Sequence, residues 1–365
     1  MKKILLILLV FVFGCKSTDK KSPKISIGIG EVKENVDLSK IIEINQEIFI
    51  KHSVFERFGD VKKAFLLNDF IYLHTEFPNT ITKLTREGQV INQFIPDFQI
   101  TEITSIDFFD SLIYVLDRES MEVHLFDYEF KRKDQFKIPY FAQSLKVISA
   151  DKIAFFLGNE IMENKGRLVI YNYKDKKPIA DLLEISKNQK RYFNFLTNYH
   201  FLLIRNNLYF WNSPQNAIFK LSENGLLDID YEIDYGKKSL PKDFYEKADY
   251  DNPFEFLQDV RAKEYAHRHF KMLANNDYLL FNFDYDSAFG TTIFNIENQT
   301  STSFKNIFDD IWTNKPFEEL MLSFFLELYG NNLFIGFLPY EFFEDSCPSD
   351  GEEPCDMLFI GKIKT

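Results

Sequence analysis

NDFIYLHT (68–75), DSLIYVLD (110–117) and DKIAFFLG (151–158) share one plan: a polar two-residue turn, then a short run of β-branched and aromatic residues. The plan returns three more times, as NNLYFWNS (206–213), NDYLLFNF (276–283) and NNLFIGFL (331–338). Residues of these types favour a pleated, half-buried surface. The first three turns lie about 41 residues apart and the later ones roughly 55–70, the spacing of an array of four-stranded sheets with loops inserted between units.

Alternation and turns mark the strands within each unit. In the first unit they are Ala64–Leu67, Phe70–Thr75, Thr80–Thr85 and, after the turn Arg86-Glu87-Gly88, Gln89–Ile95. The next four units repeat this order. The sixth offers Phe324–Leu328, Leu333–Leu338 and Met357–Lys362, and then stops one strand short. An open apolar edge there would invite mispairing. Near the other terminus Glu47–Phe58 (EIFIKHSVFERF) reads as a strand with no unit of its own. Pairing it with the sixth unit completes the count and ties the two ends of the chain together. The expectation is an all-β fold, a six-bladed β-propeller of four-stranded antiparallel blades over residues 41–365. Short helical insertions are expected between blades 4 and 5 and between blades 5 and 6.

The N-terminus carries an address. Lys2 and Lys3 precede an apolar run from Ile4 to Phe13, too short for the roughly 20 residues of a membrane span. Val12-Phe13-Gly14-Cys15 then resembles the lipobox of bacterial lipoproteins. That resemblance implies a signal peptide over residues 1–14 and a lipidated Cys15; an ordinary secretory signal with an incidental cysteine is the alternative. KSTDKKSPK (16–24) is polar and reads as part of a flexible tether over residues 15–40. Nothing after Cys15 looks like an inner-membrane retention signal, so the expected location is the outer membrane, facing either the periplasm or the cell surface.

With Cys15 set aside, Cys347 and Cys355 remain, separated by PSDGEEP. In a secreted chain an even pair is most simply a disulfide; two free thiols are the alternative. The formal charge is −12, and −14 once Lys2 and Lys3 are removed with the signal. With no basic stripe to offset that charge, nucleic acid is excluded as a partner. Aromatic residues make up 17% of the chain, with 41 Phe and 18 Tyr, which favours sheet and a large core.

Taken together, the lipobox, the early lone strand, the Asn/Asp turns before IYVLD (113–117), third strands such as VHLFD (123–127) and the stretch YGKKSLPKDFY (235–245) resemble the six-bladed β-propeller lipoproteins of Bacteroidota. The resemblance spans roughly residues 40–365. Where that family carries a Gly-rich GxGPGEY-like segment before the second blade, this chain has PDFQITEITSI (96–106). The resemblance implies fold and envelope location. It implies no reaction, because the family's members are mostly of unassigned function.

In a propeller the loops after each second strand and the loops between blades open on one face, the usual ligand face of the architecture. Two inter-blade insertions are long. Asp234–Phe270 holds an expected helix over Phe244–Ala262, and IFDDIWTNKPFEELML (307–322) holds a helical pattern from Pro316. They either cap that face or shield a blade junction. The loops after the second strands supply Glu76, Asp117, Arg118, Glu119, Trp211, Asn212, Asp284, Asp286, Tyr340 and Glu341. Carboxylates, an arginine and aromatic rings are the groups that recognise a glycan or a peptide. His267 and His269 alternate at the head of an inner strand, either as metal ligands or as hydrogen-bonding groups at a blade junction.

Catalytic signatures such as GxSxG, HExxH or a phosphate-binding loop do not occur. The reading the residues favour is a non-enzymatic module that binds a ligand or a partner protein. Two alternatives stand beside it. One is a calcium-dependent lactonase-like hydrolase or lyase, for which Glu76, Asp117, Asn212 and Asp284 would have to converge on one ion. The other is an accessory subunit of an outer-membrane transport complex.

Overall fold

Asp110 (φ 48°) and Ser111 (φ 62°) lie in the left-handed region of backbone space, as do Asn68 (53°), Asn206 (61°) and Asn332 (65°). Asn and Asp tolerate that conformation better than most residues, and it gives a two-residue hairpin the twist of the strands it joins. In the computed structural model each of these turns links the first two strands of a blade. The model describes residues 25–51, 60–96, 100–158, 166–184, 200–212, 216–241, 244, 250, 252–285, 288–316, 324–330, 332–343 and 355–364.

The chain opens with β1 (Ile25–Gly28), β2 (Val32–Asp37), a single-turn helix α1 (Leu38–Ile41) and β3 (Ile42–Lys51). Blade 1 is β4 (Val61–Leu67), β5 (Phe70–Thr75), β6 (Thr80–Thr85) and β7 (Val90–Phe94). Blade 2 is β8 (Ile103–Phe109), β9 (Leu112–Asp117), β10 (Glu122–Asp127) and β11 (Arg132–Lys137). Blade 3 is β12 (Ser144–Ser149), β13 (Lys152–Phe156), β14 (Gly166–Asn172) and β15 (Lys177–Glu184). Blade 4 is β16 (Phe201–Ile204), β17 (Asn207–Trp211), β18 (Ala217–Leu221) and β19 (Leu227–Asp234). After α2 (Pro253–Ala262), blade 5 is β20 (His267–Ala274), β21 (Tyr278–Tyr285), β22 (Ala288–Asn295) and β23 (Thr300–Asp309). The two-residue β24 (Lys315–Pro316) leads to blade 6, made of β25 (Phe325–Tyr329), β26 (Leu333–Leu338) and β27 (Cys355–Ile363). Its fourth strand is β3, antiparallel to β27 with Lys51 opposite Cys355 and Ile42 opposite Ile363. The six antiparallel blades and the closure of the last by an N-terminal strand match the sequence reading.

The core lies between facing blades. At the closing junction Ile71, Leu73 and Leu84 of blade 1 meet Leu326, Ile335, Phe337 and Leu358 of blade 6, with Ile48 and Ile50 of β3. The Tyr329 hydroxyl accepts from the Leu66 amide (2.7 Å) and donates to the Ala64 carbonyl (2.9 Å), satisfying buried backbone across this seam.

Three boundaries differ from the sequence expectation. The closing strand is Ile42–Lys51, so it starts five residues before Glu47, and residues 52–58 lie outside the described residues. The expected tether is shorter than 15–40, because β1 pairs in parallel with β19 (Ile25 opposite Tyr231) and β2 with β23 (Val32 opposite Ser303). Ile27, Ile29 and Val36 of this strap are buried, extending the cores of blades 4 and 5 outward. It also covers two outer strand edges that would otherwise stand open.

The third difference concerns the insertions. The helix expected over Phe244–Ala262 is described as α2 over Pro253–Ala262. Its start is fixed by Asn252, whose side-chain oxygen accepts from the Phe254 (3.0 Å) and Glu255 (3.1 Å) amides, with Pro253 in the first turn. At Pro316 the structure has β24 rather than a helix start. Asp309 accepts from the Ile311, Trp312 and Thr313 amides and turns the chain back, so that Pro316 pairs with Phe308. Residues 317–323 lie outside the described residues. No helix among the described residues is long and apolar enough to cross a membrane. Cys355 is buried at the start of β27, whereas Cys15 and Cys347 lie outside the described residues.

Candidate functional site

The residues expected on the loop face divide into two groups. Around blades 1 and 2, Glu76 pairs with Lys62, which also meets Asp60 at 2.8 Å. Burial, and after it the Glu119 carboxylate, raise the Glu102 carboxyl above its ordinary value; Arg118 opposes this, and Glu76 and Asp117 add to it. Glu76, Asp117, Arg118 and Glu119 therefore all lie within electrostatic reach of Glu102. Asp117, however, is fully buried and accepts from the Thr101 (2.8 Å) and Ser120 (3.3 Å) amides. Its lone pairs hold the inter-blade loop.

The second group lies at blades 4 and 5. Trp211 is fully buried, its ring 5.6 Å from His200 and 6.0 Å, edge-on, from His269. The expectation that it presents its face at the rim is corrected: it packs between the blades. Asn212 is buried next to it. Asp284 is buried with Oδ2 3.4 Å from His267 Nε2, and His269 Nδ1 lies 3.2 Å from the Tyr235 hydroxyl. Burial, and after it the neighbouring His267, push His269 down to about 3, so it is neutral at physiological pH. No group of three His, Cys, Asp or Glu among the described residues is arranged to hold a metal ion. Asp117, Glu76 and Asp284 each engage a different neighbour and do not share one centre. Glu341 is exposed on a short turn at Tyr340–Phe343. Asp286 and the Tyr340 side chain lie outside the described residues.

The first insertion packs at the head of β20. Phe256 and Val260 of α2 pack with Phe244, Leu240, Tyr250 and Tyr265, and the Phe256 ring lies 5.9 Å from His267 at the head of β20. Burying one apolar stripe of α2 in this way anchors it to the end of the innermost strand of blade 5.

Beneath the loop face lies a cluster that sequence reasoning missed. Five of the six innermost strands carry a charge into the channel: Lys63 on β4, Asp107 on β8, Lys146 on β12, Lys271 on β20 and Glu327 on β25. Their heights follow from register. Asp107, Lys146 and Glu327 lie opposite Tyr114, Ala154 and Ile335, each the third residue of its second strand. Lys63 and Lys271 lie opposite His74 and Asn282, each the fifth, and so stand nearer the loop face.

Lys146 Nζ is 2.7 Å from Asp107 Oδ1, and the other Asp107 oxygen accepts from the Val147 amide at 2.8 Å. Glu327 lies 3.9 Å from Lys63 Nζ and within electrostatic reach of Lys146 and Lys271. The Lys63 and Glu327 side chains each keep about a fifth of their surface accessible. The signal for this cluster was in the sequence: a lone charge among the apolar residues of VKKAFLL (61–67), ITSIDFF (103–109), SLKVIS (144–149) and FLELY (325–329).

Burial dominates the electrostatics here. It pushes the Lys271 ammonium down to about 7, with Glu327 and Asp60 opposing, and lowers Lys63; it raises the Glu327 carboxyl. The unfolded chain therefore holds a proton on Lys271 between about pH 7 and 10.5 that the folded chain lacks, so this residue makes stability rise with pH across that window. Lys271→Met is expected to be the more stable protein at pH 7, by on the order of 3 kcal/mol, with the gap closing towards pH 9.5. Denaturant melts of parent and variant from pH 6.5 to 9.5 check this, and parallel curves would refute it.

No protein-family model matches the sequence, and no curated protein does. Among solved structures, an exported protein from Bacteroides fragilis superposes with TM-score 0.74 over 93% of this chain and 100% of its own, at 11% identity. A member of the DUF4221 family from Bacteroides vulgatus does so with TM-score 0.52 over 89% and 98%, also at 11% identity. Virginiamycin B lyase from Staphylococcus aureus follows at 0.46 over 89% and 99%, with 11% identity, too loose a likeness to bear on chemistry. At these identities the likeness is one of fold: the chain shares its six-bladed ring with the two Bacteroides proteins.

Proposed function

We propose that this chain is a binding module of the bacterial envelope, held at the outer membrane by lipid on Cys15, and that its loop face and the channel beneath receive a ligand or a partner protein. One observation carries the reading: charges from five innermost strands meet in a channel where burial disfavours Lys63, Lys271 and Glu327 in their charged forms. Charges whose burial costs folding energy are explained by a ligand that meets them. The α2 insertion at the head of β20 supports the same face, since a structured insertion over a rigid scaffold is a common place for recognition. A glycan, a peptide or an outer-membrane protein fits this description. A calcium-dependent lactonase-like activity has less support, because Glu76, Asp117 and Asp284 engage separate neighbours. A disulfide between Cys347 and Cys355 belongs to the same envelope reading.

A thermal-shift screen of the purified protein against glycans, peptides and small anions tests the binding role. A ligand at 100 times its dissociation constant adds about 2.7 kcal/mol of apparent stability. A hit whose effect is lost on substituting channel residues supports the reading, and the absence of any hit counts against it. The anchoring is tested separately. Cys15→Ser is expected to move the protein from the membrane fraction to the soluble periplasmic fraction; unchanged fractionation would show that the lipobox reading is wrong.

A further inference from the structure

Resting on the reading of the loop face as a binding face, we propose that the loop-face ends of blades 3 and 4 hold an uncharged amide group of the ligand through Ser144, Trp211 and Asn212. All three are buried, at 1%, 0% and 4% exposure. Ser144 Oγ, Trp211 Nε1 and Asn212 Nδ2 have no hydrogen-bond partner among the described residues. Buried polar atoms in native proteins are nearly always paired, so three orphans at one end of two neighbouring blades call for a partner. One chain of contacts links them. Ser144 begins β12 opposite Phe156, the Phe156 ring lies 3.8 Å from the His200 ring, and the Trp211 amide donates to the His200 carbonyl at 3.0 Å. Asn212 opens the loop that follows.

The unpaired atoms define what satisfies them. An indole Nε1 and an amide Nδ2 only donate, and a serine hydroxyl can turn its proton outward, so their match is an acceptor oxygen. Charge narrows the choice. None of the three side chains is charged, and His269, edge-on to Trp211 at 6.0 Å, is neutral at physiological pH because burial, and after it His267, push it down to about 3. A carboxylate or phosphoryl group seated here would draw no counter-ion from this set, at a steep cost in desolvation. A hydroxyl would bring a donor of its own to a place that already holds three. An amide carbonyl meets both conditions: it is uncharged, and its oxygen accepts two hydrogen bonds and donates none. Peptide backbone and acetamido sugars both carry this group. The Trp211 ring fills the blade junction, and its N–H edge is what is left for recognition.

The probes are N-acetylglucosamine and N-acetyl-trialanine amide, with glucose and acetate as controls that lack the amide, titrated into the purified full chain carrying Cys15→Ser. Two tryptophans give a direct readout. Trp312 Nε1 already donates to Glu47 Oε1 at 2.6 Å. In a proton–nitrogen NMR spectrum the Trp211 indole N–H signal is therefore the one expected to move downfield and to exchange more slowly with solvent. Trp312→Phe assigns the two signals. Saturation by the sugar alone identifies an acetamido sugar, by the peptide alone a peptide backbone, and by both the amide group itself.

Ser144→Ala and Trp211→Phe are each expected to weaken binding about threefold to tenfold, the range of one neutral hydrogen bond. Ser144→Ala also separates recognition from structure. Deleting an orphaned hydroxyl is expected to hold or raise the melting temperature while affinity falls. The proposal is overturned if neither amide probe moves the Trp211 signal, if glucose or acetate moves it as far, or if both variants bind as the parent does; buried water then satisfies the three atoms. A ligand from the thermal-shift screen that binds without moving the Trp211 signal overturns the amide site alone. The failure of every ligand class in that screen overturns the binding role itself.

Discussion

Deleting Ile42–Lys51 is expected to leave a chain that does not reach the native ring and accumulates as aggregate. This strand is the fourth of blade 6 and runs beside β27 along its whole length, from Cys355 to Ile363. Ile42, Ile48 and Ile50 are each at most 2% exposed. Burying three such side chains is worth about 5–9 kcal/mol. A domain's whole stability is about 5–15 kcal/mol, so the loss from side chains alone is comparable to it, before any backbone hydrogen bond is counted. The deletion also opens the edge of β27, whose residues from Cys355 to Ile360 are all buried, and such an edge invites pairing with another chain. Removing residues 16–24 is expected to leave the melting temperature within a degree or two. Removing 25–37 falls between the two, since it strips β1 and β2 from blades 4 and 5 but leaves the ring closed. Solubility and melting curves of the three deletions check the order, and a soluble chain lacking β3 that melts like the parent would rule out this closure.

The ring was legible because its signal is local. A polar turn followed by an apolar run repeats six times, and left-handed Asn, Asp and Ser residues fix the hairpins that set the register. The strap at residues 25–37 was read as tether because parallel edge strands have no hairpin turn to announce them. Its one cue was the alternation of Ile25, Ile27 and Ile29, of which Ile27 and Ile29 are buried. The start of β3 was read five residues late because the alternation begun by Ile42 and Ile44 breaks at Asn45-Gln46, where the pairing register shifts.

The site was harder for a different reason. Loop residues are the usual carriers of recognition, and on that rule Asp117 and Trp211 were natural candidates. Asp117 instead satisfies two amides and Trp211 fills a blade junction, both of them tasks set by tertiary neighbours. Conversely, a single charge inside an apolar strand reads as the solvent face of a period-2 pattern. Only the closing of the ring turns five such charges towards one another.

The two groups of charges in that ring, Asp107 with Lys146 and Lys63 with Glu327 and Lys271, are expected to answer substitution with opposite signs. Asp107 is 3% exposed, with one oxygen on Lys146 Nζ and the other on the Val147 amide. Asp107→Ala leaves a lysine without its counter-charge and a buried amide without its acceptor. Breaking a buried pair in this way costs about 3–5 kcal/mol. The other three charges are held differently: Lys63 and Glu327 stand 3.9 Å apart, and burial works against the charge on each of them as well as on Lys271. Replacing this group together, as Lys63→Met, Glu327→Leu and Lys271→Met, is expected to stabilise by about 1–4 kcal/mol, the usual outcome when apolar residues of similar volume take the place of buried charges. Denaturant unfolding at pH 7 separates the cases. A stabilised triple variant beside a destabilised Asp107→Ala would show that the Asp107–Lys146 pair braces the ring and the other three charges are retained for a ligand. Destabilisation of both by similar amounts would mean that all five charges are structural, and the binding role would lose the observation that carries it.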